Sequence, residues 1–596
     1  MAATALLATG CQDTIDLDPL DDSPVVESRV RPAPIIGGTL VVTSDGLAVA
    51  ADPDRDLLHI VDIDARDELH AVALEPGDQP GRVALGSDGR AHVVLRGAGA
   101  LATVELTSGE VLARHPVCPE PRGVAFDSGD ASLYVACAGG DLVHLSEAGD
   151  ELKRVTLEPD LRDVIFVNGE VMVSRFRSAE LLGLDGSRIS IPNQGPFEAH
   201  VAWRTWVNAS GDIEILHQMH DTQDVPIDPD PDDTRPGDGA YGGGGFCETG
   251  IVNAAVSTIT TTDDGPVVNT VMMLDSQLTV DASPHPDGDL LAMAVPGAAP
   301  RDVADFFGDD FGRSSDESFM VSPKTYRVEF RGGSDCGFFE DNPEPEPEQG
   351  QVVAVAHDSS GALIMQSREP ARLLILDAPQ PFETRDAQIV ELAGEARLDT
   401  GHEIFHRSTE SNLSCASCHP EGGDDGHTWR FTEIGKRRTQ PLDVGLEDTA
   451  PFHWDGDMDD LDMIMGEILA HRMGGKRQSE PRRDSFERWV FAQQRPPADD
   501  GRNDALLVSR GEALFASYDC TRCHYGAALG GTTTELIRGE QKQVPTLRRV
   551  ALHPPYMHDG RSPTLEHAVQ DMIESTRQTT APQDDVDAIT AYLRTL

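Results

Sequence analysis

Between Arg31 and Asp377 one sequence pattern returns about every forty residues. It is clearest in "GRVALGSDGRAHVVLRGAGALATVEL" from Gly81, "RGVAFDSGDASLYVACAGGDLVHLS" from Arg122 and "RDVIFVNGEVMVSRFRSAELLGLD" from Arg162. Val83, Val124 and Val164 hold equivalent positions, 41 and then 40 residues apart. Each unit runs as an apolar strand, a polar turn with glycine, a second strand, another turn and a third strand. "GLAVAADPDRDLLHIVDID" from Gly46, "GDLLAMAVPG" from Gly288 and "GQVVAVAHDSSGALIMQSREPARLLILD" from Gly350 fit the same unit. A sheet of about four short strands cannot bury both faces alone, so neighbouring units must stack. Stacking such sheets around an axis gives an all-β propeller, here of about seven blades over residues 31–380.

The fifth and sixth units are interrupted. "DTQDVPIDPDPDDTRPGDGAYGGGGF" from Asp221 is rich in Pro, Gly and Asp, and is expected to be an exposed acidic loop. Its carboxylates suit calcium chemically, but composition favours a plain loop. His217 and His220 just before it, in "HQMH", resemble a metal pair. On a strand their odd spacing sends them to opposite faces, so a structural role is expected. "EDNPEPEPEQGQ" from Glu340 reads as a second exposed loop. The repeats resemble the YVTN-type propellers of bacterial surface proteins, and nothing in them is catalytic.

The last third carries different chemistry. "SCASCH" spans residues 414–419 and "DCTRCH" spans 519–524. Cys-x-x-Cys-His places two thiols on one face of a helical turn with a histidine directly after them, which is the attachment pattern of c-type haem. Cys415, Cys418, Cys520 and Cys523 would form the thioethers, and His419 and His524 would ligate iron. A zinc site built from the four thiols would leave both histidines unexplained. Gly401 and Phe405 precede the first motif, and Gly511 and Phe515 the second. This i, i+4 pairing lets another helix approach at the glycine while the ring fills space beside it. The C-terminal "DVDAITAYLRTL" carries Val586, Ile589, Tyr592 and Leu593 on one stripe and is the expected partner of the Gly511 helix. Two mainly α cytochrome c domains follow, at 385–497 and 501–596, joined by "RPPADDG" from Arg495.

Composition narrows the setting. Among 596 residues, 48 Lys and Arg face 102 Asp and Glu, a net charge of −54. That excludes nucleic acid and anionic membrane as partners, and fits either a positively charged redox partner protein or simply a solvated acidic surface. Of the nine cysteines, Cys118 with Cys137 and Cys247 with Cys336 suit disulfides in an oxidising compartment. Cys11 is left over. It ends "MAATALLATGC", which resembles a bacterial lipobox but lacks a basic flank. Residues 1–30 are expected to be a leader, with Cys11 either a lipidated membrane tether or part of a loose segment. No apolar stretch is long enough for a membrane helix. Covalent haem attachment implies export to the periplasm or cell envelope, with an outer-membrane lipoprotein as the lipidated case.

"VPTLRRVALHPPYMHDGRSPTLEHAV" from Val544 and "TAPFHWDG" from Thr449 resemble segments of the bacterial di-haem cytochrome c peroxidases and their relatives that mature tryptophan-derived cofactors. The resemblance covers about a third of the chain. It implies two covalent haems with His419 and His524 as proximal ligands. Met572 stands at the distal-ligand position of the second haem, with Met557 as its rival. Trp454 matches the tryptophan between the haems. The match weakens around the first haem. Its capping histidine is absent near Phe431, leaving His427 and His453 as the nearest candidates. Arg472 stands where the family has its distal glutamate, and Glu467 is the nearest carboxylate. Thr439 replaces the calcium-ligating Asn, which weakens the case for an interdomain calcium.

Two functions fit these residues. One is a peroxidase-like oxidoreductase passing electrons from the second haem to a reactive first haem, which reduces hydrogen peroxide or another small oxidant. The other is a non-enzymatic di-haem electron carrier with the propeller as a binding scaffold.

Overall fold

The computed structural model describes residues 20–228, 240–242, 250–273, 278–286, 291–297, 324–326, 350–377, 387–495 and 504–596. Cys11, Cys247, Cys336 and the Glu340 loop lie outside them. Six four-stranded antiparallel sheets occupy residues 40–73, 80–116, 121–156, 161–189, 197–273 and 352–391, and a three-stranded sheet occupies 281–326. They are consistent with propeller blades. Successive sheets pack through their first strands, and the first strand of the first sheet, Leu40–Val42, touches Val352–His357 of the last.

The burial pattern explains this stacking. Second strands such as Leu47–Asp52 and Arg90–Leu95 are buried nearly throughout, while fourth strands such as Glu110–Pro116 alternate toward solvent. Both faces of the inner strands are covered, so they read as continuous apolar runs. Alanines at these positions (Ala48, Ala50, Ala91, Ala136, Ala292, Ala354) are fully buried and let adjacent sheets approach closely. Cys118 and Cys137 form a disulfide.

The last sheet takes its outer strand, Gln388–Glu391, from beyond residue 385, where the haem region was expected to begin. The N-terminal segment also departs from expectation. Residues 20–30 are not a loose leader. Leu20–Asp21 pairs in parallel with Arg477–Gln478, Val26 N donates to Thr400 Oγ1 at 2.9 Å, and Arg488 bonds to Glu27. Leu20 has no core to enter, but its backbone finds an open edge at Arg477, and an unpaired edge accepts any strand that reaches it.

Seven helical segments follow: α1 (Thr400–His406), α2 (Cys415–Cys418), α3 (Leu461–Ile464), α4 (Glu480–Phe491), α5 (Ala505–Ser517), α6 (Leu565–Arg577) and α7 (Gln583–Leu593). A π-helical turn, Met465–Arg472, continues α3. Asp399, Asp460, Asp504 and Thr564 cap the starts of α1, α3, α5 and α6 with side-chain acceptors. The glycines act as expected. A Cβ at Gly401 would lie 2.4 Å from Trp489 Cβ of α4, and one at Gly511 would lie 1.9 Å from the Ala588 carbonyl oxygen of α7. Backbone cannot yield as a side-chain tip does. Gly511→Ala is therefore expected to destabilise the C-terminal helices by about 3 kcal/mol, measured by urea unfolding, with Gly466→Ala, whose surroundings are open, as the neutral comparison.

The two halves of the haem region differ in their cores. The second half has its own, with Phe515, Leu565, Val569, Ile573, Val586 and Ile589 packed together. The first half shares one with the sheets: Phe405, Ala416, Leu469 and Trp489 pack in one cluster with Val201, Trp203 and Val352. Trp489 Nε1 donates to Pro32 O at 3.0 Å, so the N-terminal segment is enclosed in that core.

Candidate haem site

Both Cys-x-x-Cys-His motifs open onto one cavity of about 690 Å³. All six motif residues line it, and the four thiols are free. Ser414 begins the first motif in a capping box with Ser417, which sets the helical turn that brings Cys415 and Cys418 to one side. The second motif folds as a tighter turn, Cys520–Arg522, after Asp519 in a left-handed conformation. His419 Nδ1 lies 3.2 Å from Gly423 O, and His524 Nδ1 lies 3.1 Å from Leu529 O. Each carbonyl fixes the ring so that Nε2 is the nitrogen left to meet a metal. Burial pushes the Cys415 thiol up to about 12 and Cys520 up to about 11. The donor set, its orientation and an adjoining apolar cavity fit two thioether-linked haems.

Trp454 also lines the cavity. Its indole Nε1 donates to Arg438 O at 2.6 Å, and its carbonyl accepts from Gln543 N at 2.8 Å. It is thus held by the first half through one group and by the second half through another. Next to it, Asp455 joins Arg437 at 2.7 Å and Lys542 at 2.5 Å. These cations line the cavity. No spacing pattern in the sequence marks them.

Met572 lies on α6 with its side toward the cavity, and Met557, at a φ of 70°, also lines it. Both thioethers therefore face the cavity that the two motifs share, and Met557 packs in one cluster with Cys520.

On the first motif's side the expected residues separate. Arg472 and His453 line the cavity, and His453 Nδ1 lies 3.5 Å from Asp457 Oδ1. Glu467 does not line it. Its Oε1 accepts from Arg472 Nε and Nη2 at 3.1 and 2.9 Å, so the carboxylate is spent on the arginine. His427 does not line it either. It faces the sheets, where His427 Nδ1 lies 3.0 Å from His200 Nε2. His427 stands just before the strand Thr428–Phe431 and packs against His200 and His220, while Trp429 and Phe431 of that strand line the cavity. Thr439 Oγ1 accepts from the Trp429 indole at 3.1 Å.

Tyr241 was missed. It sits in the Gly-rich insertion read as an exposed loop, yet it is half-buried and lines the cavity. Its amide donates to Arg472 O at 2.9 Å. Burial pushes its phenol up to about 12, with the Arg472 guanidinium beside it opposing that rise. The same insertion adds Asp224–Val225 as a parallel strand to Arg430–Phe431. The only sign in the sequence was an aromatic set among glycines.

Residues 508–596 match the family model described as Cytochrome c. Over its C-terminal region the chain is homologous to the bacterial cytochrome c peroxidases. The Cytochrome c peroxidase Ccp of Escherichia coli (strain K12) is 28% identical over 289 residues, covering 37% of this chain and 60% of that protein. The Cytochrome c551 peroxidase of Nitrosomonas europaea is 32% identical over 136 residues, covering 19% of this chain and 38% of that protein. The chain thus spans less than two thirds of the length of either peroxidase. Looser likenesses to solved structures include Kuenenia stuttgartiensis hydrazine synthase (TM-score 0.41, 13% identity, 60% of this chain and 99% of that one). A streptogramin B lyase follows (TM-score 0.36, 8% identity, 57% and 93%). Overlaps at this level carry no argument about function.

Proposed function

We propose that the chain is an exported di-haem c-type cytochrome with a peroxidase-like activity, built as a seven-bladed propeller followed by two haem-bearing domains. The carrying observation is that both motifs line one cavity, which Trp454 lines as well. The named peroxidases to which the C-terminal region is similar support the same reading. Bound haem would supply electron storage and, at an iron with an open position, two-electron reduction of peroxide.

With haem bound, electrons from a redox partner protein would enter on the His524 side and leave on the His419 side, with Trp454 as the residue that would carry them across. His524 and Met572 would hold the second haem, and a thioether ligand would supply the raised potential that suits a relay. Met572→Ala should lower the midpoint potential of one haem by on the order of 100 mV, read by spectroelectrochemistry; an unchanged potential with a shift in Met557→Ala instead would move the ligand to Met557.

On the His419 side, Glu467 is turned onto Arg472, and the carboxylate that lines the cavity beside Arg472 and His453 is Asp457. Arg472 keeps its proton and stabilises negative charge developing on a bound oxidant. The neutral Tyr241 phenol is a hydrogen-bond donor beside it.

A second reading is favoured by His453. It lines the same cavity, and if it caps the first iron the protein is an electron carrier with the propeller as binding scaffold. Spectra of the half-reduced protein decide: a high-spin haem consumed by hydrogen peroxide supports the peroxidase-like reading, and two low-spin haems inert to peroxide support the carrier. A lipidated Cys11 would tether the protein to a membrane. Thr439, engaged by Trp429, gives no support to calcium.

A further inference from the structure

Three histidines meet where the fifth sheet faces the haem region. His200 lies on the first strand of that sheet, Phe197–Val207, and His220 on the second, Ile213–Asp221. His427 comes from the chain eight positions after His419. One ring nitrogen from each lies within 4.8 Å of the others. His220 is fully buried and His427 nearly so.

The outer hydrogen bonds fix which nitrogens face inward. His200 Nδ1 lies 2.9 Å from Arg177 O, and His220 Nε2 lies 3.0 Å from Gln218 Oε1. A carbonyl oxygen only accepts, so each of these nitrogens carries its ring's proton and the opposite nitrogen bears a lone pair. His200 Nε2 then points at His427 Nδ1, 3.0 Å away. His220 Nδ1 makes no hydrogen bond and sits 3.7 Å from Asp425 Oδ2. Asp425 is fully buried, and its Oδ1 accepts from the His427 amide at 2.9 Å, which holds the carboxylate in place. A buried, unpaired imidazole lone pair is costly unless something occupies it.

We propose that His200, His220 and His427, with Asp425 as the neighbouring carboxylate, form a binding site for a zinc-like divalent cation that ties the propeller to the haem region. Zinc is held by imidazole nitrogens at about 2.0–2.1 Å, which puts tetrahedral ligand atoms about 3.3 Å apart. The 3.0 Å between His200 and His427 is close to that spacing. Three neutral imidazoles and one carboxylate form a closed donor set of the kind that suits zinc rather than calcium or magnesium. Outer carbonyls orienting ligating histidines are the usual second layer of such sites. The site is separate from the haem cavity but adjoins it through Trp429. That indole stacks on His220 with ring centres 5.3 Å apart and meets His427 edge-on at 4.5 Å, while also lining the cavity. The two strands and the post-motif segment are distant in sequence, so a bound cation would cross-link them.

The test uses the full chain, with covalent haem and no polyhistidine tag, stripped with a chelator and then given zinc chloride. Elemental analysis after gel filtration should show about one zinc per chain in addition to haem iron. His200→Gln and His220→Gln should each lower that at least tenfold. His217→Gln should retain it, because His217 lies on the same strand but bonds Ser257 at 2.8 Å away from the cluster. No zinc taken up by the wild type, or full uptake by both variants, overturns the proposal. Should the variants fail to fold, the wild type alone decides. A rise in its unfolding temperature with zinc but not with magnesium supports the site, and no rise overturns it.

Discussion

Glu421→Gln is expected to destabilise the protein by about 3–5 kcal/mol, because it leaves the buried Arg162 guanidinium without its salt-bridge partner and Arg96 with Glu120 alone. Glu421 lies two residues after His419 and is almost wholly buried. Its carboxylate meets Arg162 and, at 2.5 Å, Arg96, both from the sheets. Arg495 Nη2 donates to its backbone carbonyl at 2.8 Å. Glutamine keeps the shape and removes only the charge, so the change reads the electrostatics of the junction between propeller and haem region. A companion network lies beside it. Glu120 of the sheets joins Arg495 at 2.6 Å and Arg122 at 3.0 Å, and also Arg549. Asp424 joins Arg177 at 2.9 Å, Arg438 at 3.3 Å and His553 at 2.5 Å.

The same residues fix an acid response. Burial would raise these carboxyls, but the surrounding arginines overcome it. Arg162 and Arg96 hold Glu421 below its ordinary 4.5, Arg495 and Arg122 hold Glu120 below 4.5, and Arg177 and Arg438 hold Asp424 below 3.8. A folded-state pKa below the unfolded one means that stability is fully present above the unfolded value. It is lost as the pH falls from there toward the folded value. Urea midpoints should therefore be flat from pH 7 to about pH 5 as far as these groups go, and fall steeply below about pH 4.5. Glu421→Gln should fall less steeply, since one of the three groups is gone. Equal slopes in the two proteins would show that the acid transition lies elsewhere.

Arg472→Gln is expected to lower peroxide turnover by about 10²-fold, the usual cost of removing one fixed charge-stabilising donor from a reacting centre. Glu467→Gln should change it by less than about tenfold, because that carboxylate contacts Arg472 rather than the cavity. The pair separates two mechanisms. A large loss in Glu467→Gln with little in Arg472→Gln would restore a general-base carboxylate to the first haem side. Steady-state rates with hydrogen peroxide, taken alongside haem spectra of each variant, give the comparison.

Legibility in the sequence followed the range of each interaction. The blade units were readable because strand, turn and strand are local and recur every forty residues. The Gly511 crossing was readable because a small residue four before a phenylalanine marks a helix face, and Ala588 of α7 does sit against it. His427 was misjudged for the opposite reason. Nearness to His419 in sequence says nothing of direction, and one strand reverses it toward His200. Residues 1–30 were read as a leader on the lipobox-like run that ends at Cys11, and no local signal announces the backbone pairing of Leu20–Asp21 with Arg477–Gln478. Tyr241 reaches the haem side from a segment whose glycines and aspartates describe a loop, and no local rule tells where a loop tip lands. The shared core of the first helical half with the sheets was hidden as well, because Trp489 and Trp203 are nearly three hundred positions apart.

The central claim is that both motifs carry covalent haem in one continuous site. Intact-mass measurement of the exported protein tests it most directly, with Cys415→Ala/Cys418→Ala and Cys520→Ala/Cys523→Ala as paired variants. The account predicts two haems added to the wild type and one to each variant, stable to denaturation. A wild-type mass with no haem, or with zinc bound at the four thiols in its place, would contradict it.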